Sequence, residues 1–108
     1  MIANIIILLL AAASVIYTGL LVYAYLVSDS MIFPVPRASY QDGPDILKLK
    51  CSEGESISAY FLAAPGASKV MLYSHGNAED IGDVRPMLTK FQKKGISVFA
   101  YDYPGYGT

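Results

Sequence analysis

Histidine and cysteine are nearly missing from this 108-residue sequence, each occurring once, as His75 and Cys51. A lone cysteine forms no internal disulfide and marks no redox compartment. Its plainest role is that of a small apolar strand residue. A lone histidine, with no CxxC and no second histidine, does not build a zinc site, so neither a metal nor any other cofactor is expected. Excess charge of either sign is missing too. The formal net charge of −1 creates no field that would gather nucleic acid or an anionic membrane surface, and a nucleic-acid partner is disfavoured. The most informative shortage is local: from Ile2 to Val27 there is no charged residue. Every Lys, Arg, Asp and Glu lies at or beyond Asp29.

That uncharged run of Ile, Leu, Val and Ala with Tyr17, Tyr23 and Tyr25 exceeds the ~20 apolar residues needed to cross a bilayer core of ~30 Å. A cleaved secretory signal is the rival reading, with Ala11-Ala12-Ala13 as small residues. No Lys or Arg precedes the run, and it is longer than an h-region of ~7–15 residues. The favoured reading is an uncleaved, single-pass anchor over residues 1–27, with the bilayer as its partner. Tyr23 and Tyr25 suit an interface position. The flanks set no orientation, since Arg37 is the nearest basic residue.

Residues 28–45 read as an extended connector, because Pro34, Pro36 and Pro44 deny helix and central strand. Beyond the anchor, Ser28 to Thr108 is about eighty residues, and a core of that size supplies only a few kcal/mol; within it, 46–108 is the expected partial α/β domain. Ile46 to Lys50 alternates, with Leu47 and Leu49 on one face and Lys48 and Lys50 on the other, which predicts a half-buried edge strand. Ser52-Glu53-Gly54-Glu55 is a turn signal. Ser56 to Ala63 then closes a hairpin, ended by Pro65-Gly66.

Lys69 to Asn77 (KVMLYSHGN) reads as a buried strand running into a small polar turn. Backbone amides at the carboxyl end of such a strand are where open α/β sheets bind ligands. Asp83 is the expected N-cap of a helix through Lys94, with Val84, Met87, Leu88 and Phe91 on one face. Pro86 fits only the first turn, which places the start near Asp83 or Val84. Gly95 is a natural C′ residue. Ile96 to Tyr101 follows as a strand and ends in Asp102-Tyr103-Pro104-Gly105-Tyr106-Gly107. The fold class is therefore α/β, an antiparallel hairpin followed by one βαβ unit.

Strand, His75-Gly76-Asn77-Ala78, helix, strand, Asp102-Tyr103-Pro104-Gly105-Tyr106-Gly107: this order resembles the amino-terminal part of the α/β-hydrolase superfamily. The similarity is greatest to membrane-anchored serine hydrolases with an HGN turn and a D-Y-x-G-Y-G turn, among them protein depalmitoylases. It covers Ile46 to Thr108. The resemblance implies an incomplete α/β-hydrolase sheet acting, in full-length form, on an acyl ester or thioester. It also implies that the backbone N–H of Asn77, with Ala78 second, is one amide of an oxyanion hole, while His75, Gly76, Gly105 and Gly107 shape the turns. Amides aimed at a developing oxyanion are worth ~2.7–4 kcal/mol each in barrier.

The nucleophile elbow G-x-S-x-G of that family occurs nowhere in this sequence, and the downstream acid and histidine have no counterpart. His75 precedes both positions in chain order, whereas the family's base follows them. No residue is therefore assigned as nucleophile, and this chain alone is expected to be inactive. Ser74 is adjacent to His75, but neighbouring strand residues point to opposite faces. Ser52, Ser56 and Ser58 sit in the hairpin with no histidine nearby. Glu79 and Asp80 read as a solvated loop start, Lys90, Lys93 and Lys94 as a solvated helix face. Tyr101, Tyr103 and Tyr106 fit either an acyl pocket or packing beside Pro104. Two functions stay open. One is the amino-terminal portion of a membrane-anchored serine hydrolase, cut short at a turn with the edge of Val98 to Tyr101 expected to be uncovered. The other is a non-catalytic anchored module that pairs with another chain.

Overall fold

The computed structural model describes residues 1–52 and 54–108; Glu53, within the expected hairpin turn, lies outside them. Two units separate, Met1–Pro34 and Val35–Thr108. The first is a helix, α1, Ile2–Ile32, with no buried residue. At ~1.5 Å per residue it is long and apolar enough to cross a bilayer. It continues past the expected boundary at Val27 because Ser28 and Ser30 return their hydroxyls to the Tyr25 and Val27 carbonyls, at 3.3 and 2.9 Å, which satisfies them within the helix. It stops where Pro34 disfavours helical backbone at Phe33, whose φ is −120° and ψ 70°.

The second unit holds β1 (Leu47–Lys50), β2 (Ser56–Leu62), β3 (Val70–Ser74), α2 (Ile81–Lys93) and β4 (Ser97–Tyr101). The sheet order is β1-β2-β4-β3. β1 and β2 form the hairpin, β2 pairs antiparallel with β4, and β3 pairs parallel with β4. The expected uncovered edge at Val98 to Tyr101 is thus corrected: β4 lies inside the sheet, with Val98 and Ala100 fully buried, and β1 and β3 are the edges. Placed between two neighbours, β4 has its backbone N–H and C=O groups paired on both edges, as a buried strand requires.

The core lies on one face of the sheet, where Ile81, Val84 and Leu88 of α2 pack on Tyr60, Val98 and Ala100, bordered by Tyr40, Ile46, Leu62, Met71 and Tyr73. Strand pairing puts Leu47, Leu49, Phe61, Leu72 and Val70 on the opposite face, and all five are exposed, Leu72 most of all at 66%. The expected half-burial of β1 is corrected as well: all four of its residues are exposed. Leu47 and Leu49 face outward and Lys48 faces the side that carries α2, because β1 takes its register from β2, whose Tyr60 must reach the core.

α2 also begins earlier than expected. Asp80 is the N-cap and Asp83 the third helical residue, together closing a capping box. Pro86 consequently lies inside the helix, at the cost of one backbone hydrogen bond. The buried stripe is Ile81, Val84 and Leu88, while Met87 and Phe91 stay 39% and 37% exposed. Starting at Ile81 rotates that residue into the core, and its burial together with the Asp80 cap outweighs the proline.

Candidate functional site

β3 and β4 run parallel with Ser74 opposite Tyr101, so the His75–Ala78 and Asp102–Gly107 turns leave the sheet side by side. Tyrosines fasten one to the other. The Tyr103 hydroxyl donates to the His75 carbonyl at 3.1 Å, and the Tyr106 hydroxyl to Asn77 Oδ1 at 3.3 Å. Both rings lean on the imidazole, with centroids 4.6 and 5.3 Å from it. Aromatic contacts of this kind add ~0.5–1.5 kcal/mol beyond burial. Tyr103 and Tyr106 are therefore packed on His75, whereas Tyr101 shares a hydrogen bond of 2.9 Å with Ser74 on the strands.

His75 is buried, and its Nδ1 lies 2.9 Å from the Gly76 carbonyl, which makes Nδ1 the protonated nitrogen of that contact. Nε2 faces Asp102 Oδ1 at 3.4 Å and has no hydrogen-bond partner among the described residues. The His75 side chain is fully enclosed, packed in the turn against Tyr103 and Tyr106.

Asp102 is the junction of the region. It is fully buried; its N–H donates to the Ser58 carbonyl at 2.8 Å. Oδ1 accepts the Ile81 N–H at 2.9 Å, and Oδ2 accepts the Tyr40 hydroxyl. A buried carboxylate needs such donors, since its charge is otherwise severely penalised. Burial, followed by the Asp102 contact, raises the Tyr40 pKa, opposed by bonds to Ser58 and Thr108. Gly107, at φ +64°, turns the chain directly over this contact. A Cβ there would overlap the Asp102 carboxylate and the Tyr40 hydroxyl.

A second carboxylate, Asp80, binds the same side of α2. It was expected in a solvated loop, but it is fully buried. Its oxygens accept the amides of Ser39, Gly82 and Asp83 at 2.6, 2.9 and 3.1 Å, and the Ser39 hydroxyl as well. Burial on its own would raise the Asp80 pKa, but the Ser39 hydroxyl and the three amides outweigh it and hold the group below its usual value. Residues 39–45 are thus not a free connector. Ser39 and Tyr40 clasp α2 and Asp102, Asp45 pairs with Arg85, and Asp42 pairs with Lys48 at 2.8 Å. Gly82 makes room for the clasp, since a Cβ would press on Ser39 Oγ and on the Tyr40 ring.

Asn77 lies beyond the end of β3 and is exposed. Ala78 is left-handed at φ +60°, the one non-glycine residue with positive φ among those described, a conformation costing ~1–2 kcal/mol. Its amide donates to Asn77 Oδ1 at 3.1 Å. The Gly76 amide donates to Glu79 at 3.3 Å, so Glu79 also belongs to the turn. Gly105, at φ +85°, faces open space. The serines stay apart from the histidine ring. Ser58 Oγ does have a basic neighbour, Lys48 Nζ at 2.8 Å, but Ser58 is 2% exposed and Lys48 is neutralised by Asp42. Among the described residues no group of His, Cys, Asp and Glu could hold a metal ion.

Sequence reasoning missed Ser39, Tyr40 and Asp80. An Asp followed three residues later by Asp83 is a capping-box pattern, and it marks Asp80. Nothing local marks Tyr40, whose partner is 62 residues away.

Human alpha/beta hydrolase domain-containing protein 17B is 32% identical over 69 residues, 62% of this chain and 24% of that protein. The Xenopus tropicalis 17B and 17C proteins are 31% and 29% identical over 70 and 68 residues, 24% and 22% of their lengths. The chain thus spans about a quarter of the length of the curated relatives it matches. No family model matches, and no solved structure matches. The resemblance to α/β hydrolases carried by the two turns stands on these relatives.

Proposed function

We propose that this chain is the amino-terminal portion of a membrane-anchored serine hydrolase acting on an acyl ester or thioester. α1 is its single-pass anchor, and the His75–Ala78 turn is one wall of its oxyanion hole. The observation that carries the reading is the strained Ala78 backbone, φ +60°, in an exposed turn beyond a parallel strand. Unusual dihedrals persist where surrounding structure over-determines them, and they gather at functional sites. Here the buried His75 and the half-buried Tyr103 and Tyr106 do the over-determining.

Chemically, a serine hydroxyl from outside residues 1–108 would give its proton to a base also outside them and attack the acyl carbonyl, whose C=O π pair becomes the oxyanion held by the Asn77 amide, with Ala78 second. Collapse would then expel the alcohol or thiol, which takes the proton back from that base. The Ala78 amide would first have to leave Asn77 Oδ1. Each such donor is worth about 10²–10³ in kcat. The relatives' name supports a hydrolase, and the length and composition of α1 support an anchor.

The test is to read the transcript beyond the Thr108 codon and express what it encodes. The expected result is a continued frame containing G-x-S-x-G whose serine takes a fluorophosphonate label and loses it on substitution by alanine. A stop codon with no such sequence after it would instead favour a non-catalytic anchored module that pairs with another chain.

A further inference from the structure

We infer that Tyr40 is a positioning residue for the His75–Ala78 turn, holding it through Asp102. The inference takes the identity of the site from the hydrolase reading, but the contact itself does not depend on it. Tyr40 donates to Asp102 Oδ2, and the other oxygen of that carboxylate both accepts the Ile81 amide at 2.9 Å and faces His75 Nε2 at 3.4 Å. The same Tyr40 oxygen accepts the Thr108 amide at 3.3 Å. One phenol therefore touches the end of the second turn and the carboxylate against which the first turn packs.

The hydroxyl matters separately from the ring. Tyr40 packs against the core cluster, and phenylalanine would keep that packing. Asp102 would then lose a donor to one oxygen while remaining fully buried. A buried carboxylate short of a donor moves to recover one. The other oxygen of that carboxylate lies 3.4 Å from His75 Nε2, so a shift of Asp102 is felt directly by the imidazole that Tyr103 and Tyr106 flank. Gly107 and Gly82 are the two places where the chain gives up a side chain to let Tyr40 in, as expected of a contact that is built rather than incidental.

The experiment uses the whole chain in lipid nanodiscs. Because His75 is the single histidine, its imidazole resonances are unambiguous, and they report the turn directly. Tyr40→Phe is expected to shift those resonances. It should also speed hydrogen exchange at Ile81 and at 75–78 by about fivefold or more, the effect of losing one ordinary hydrogen bond. The β2–β4 ladder amides of Tyr60 and Ala100 should change less than twofold. Tyr40→Leu, which loses ring and hydroxyl, should accelerate the ladder as well. Equal acceleration of turn and ladder in Tyr40→Phe would reduce Tyr40 to a packing residue, and an unmoved His75 signal would remove the relay; either overturns the inference. If the longer product lacks fluorophosphonate reactivity in the unsubstituted protein, the hydrolase reading fails while the resonance and exchange results still decide the role of Tyr40.

Discussion

Replacing Asp80 by alanine should remove most of the stability of the Val35–Thr108 unit. The carboxylate ends two orphan amides of α2, from Gly82 and Asp83, and losing an N-cap costs ~0.5–2 kcal/mol. It also holds Ser39 by amide and hydroxyl, and hydrogen bonds to a charged acceptor are worth ~1.5–3 kcal/mol. These contributions share one group and do not add fully, so a loss of about 3 kcal/mol is expected. A unit of this size has of order 5 kcal/mol in total, and 3 kcal/mol is a roughly hundredfold fall in the folded ratio. Asp80→Asn keeps a capping oxygen and loses the charge that binds Ser39, so it should cost about half as much. Urea unfolding of the whole chain in detergent, followed by tyrosine fluorescence, reads both variants. The pH dependence supplies a second check. A carboxyl held below its usual value contributes stability fully present above its unfolded pKa of ~3.9, and that stability is lost as pH falls through the lower folded value. Acid sensitivity below about pH 4 should therefore be weaker in Asp80→Asn, with the part due to Asp42 and Asp45 remaining. A cost for Asp80→Ala under about 1 kcal/mol, or an unchanged acid limb in Asp80→Asn, would refute the network as drawn.

Gly107→Ala combines left-handed backbone with overlap on Asp102 and Tyr40 and should cost about 2–5 kcal/mol. Gly105→Ala, with similar φ but open space, should cost only about 1–2, and equal midpoints for the two would show that the crowding is not real. Gly82→Ala should destabilise, although helix propensity alone favours alanine by ~1 kcal/mol; a raised melting temperature would mean that Ser39 and Tyr40 do not press on the helix. Burial pushes the Tyr60 phenol up to about 12, so its contribution is intact below its unfolded value of ~10 and is lost between about pH 10 and 12. Spectrophotometric titration should find Tyr60 ionising together with unfolding, alongside Tyr40, which is also raised, and Tyr60→Phe should remove one of these late-ionising tyrosines. Incubated with a fluorophosphonate, residues 1–108 alone should take no label, and labelling at any serine would contradict the absence of a nucleophile among them.

The element order was legible because each element rests on local chemistry. A run free of charge, alternating strands, Gly95 after a helix and two glycine-bearing turns each have one low-energy solution. What could not be read locally went wrong in a consistent way. Periodicity put Leu47 and Leu49 on the same face without saying which face α2 would cover, and they proved to be on the open one. Pro86 is a local penalty that points to a later start of α2, whereas the start is decided by Asp80 meeting Ser39 across the unit.

By itself, then, the sequence determined an apolar helix, a hairpin and a βαβ unit, and it placed His75–Ala78 and Asp102–Gly107 at strand ends. These follow from side-chain volume, charge and backbone freedom acting over a few residues. Only the tertiary structure decided that β4 is inside the sheet, that His75 is enclosed by tyrosines, and that Tyr40 and Ser39 reach back to two buried carboxylates. Such contacts join residues far apart in the chain, and their energy comes from burying charge among donors that no local pattern brings together.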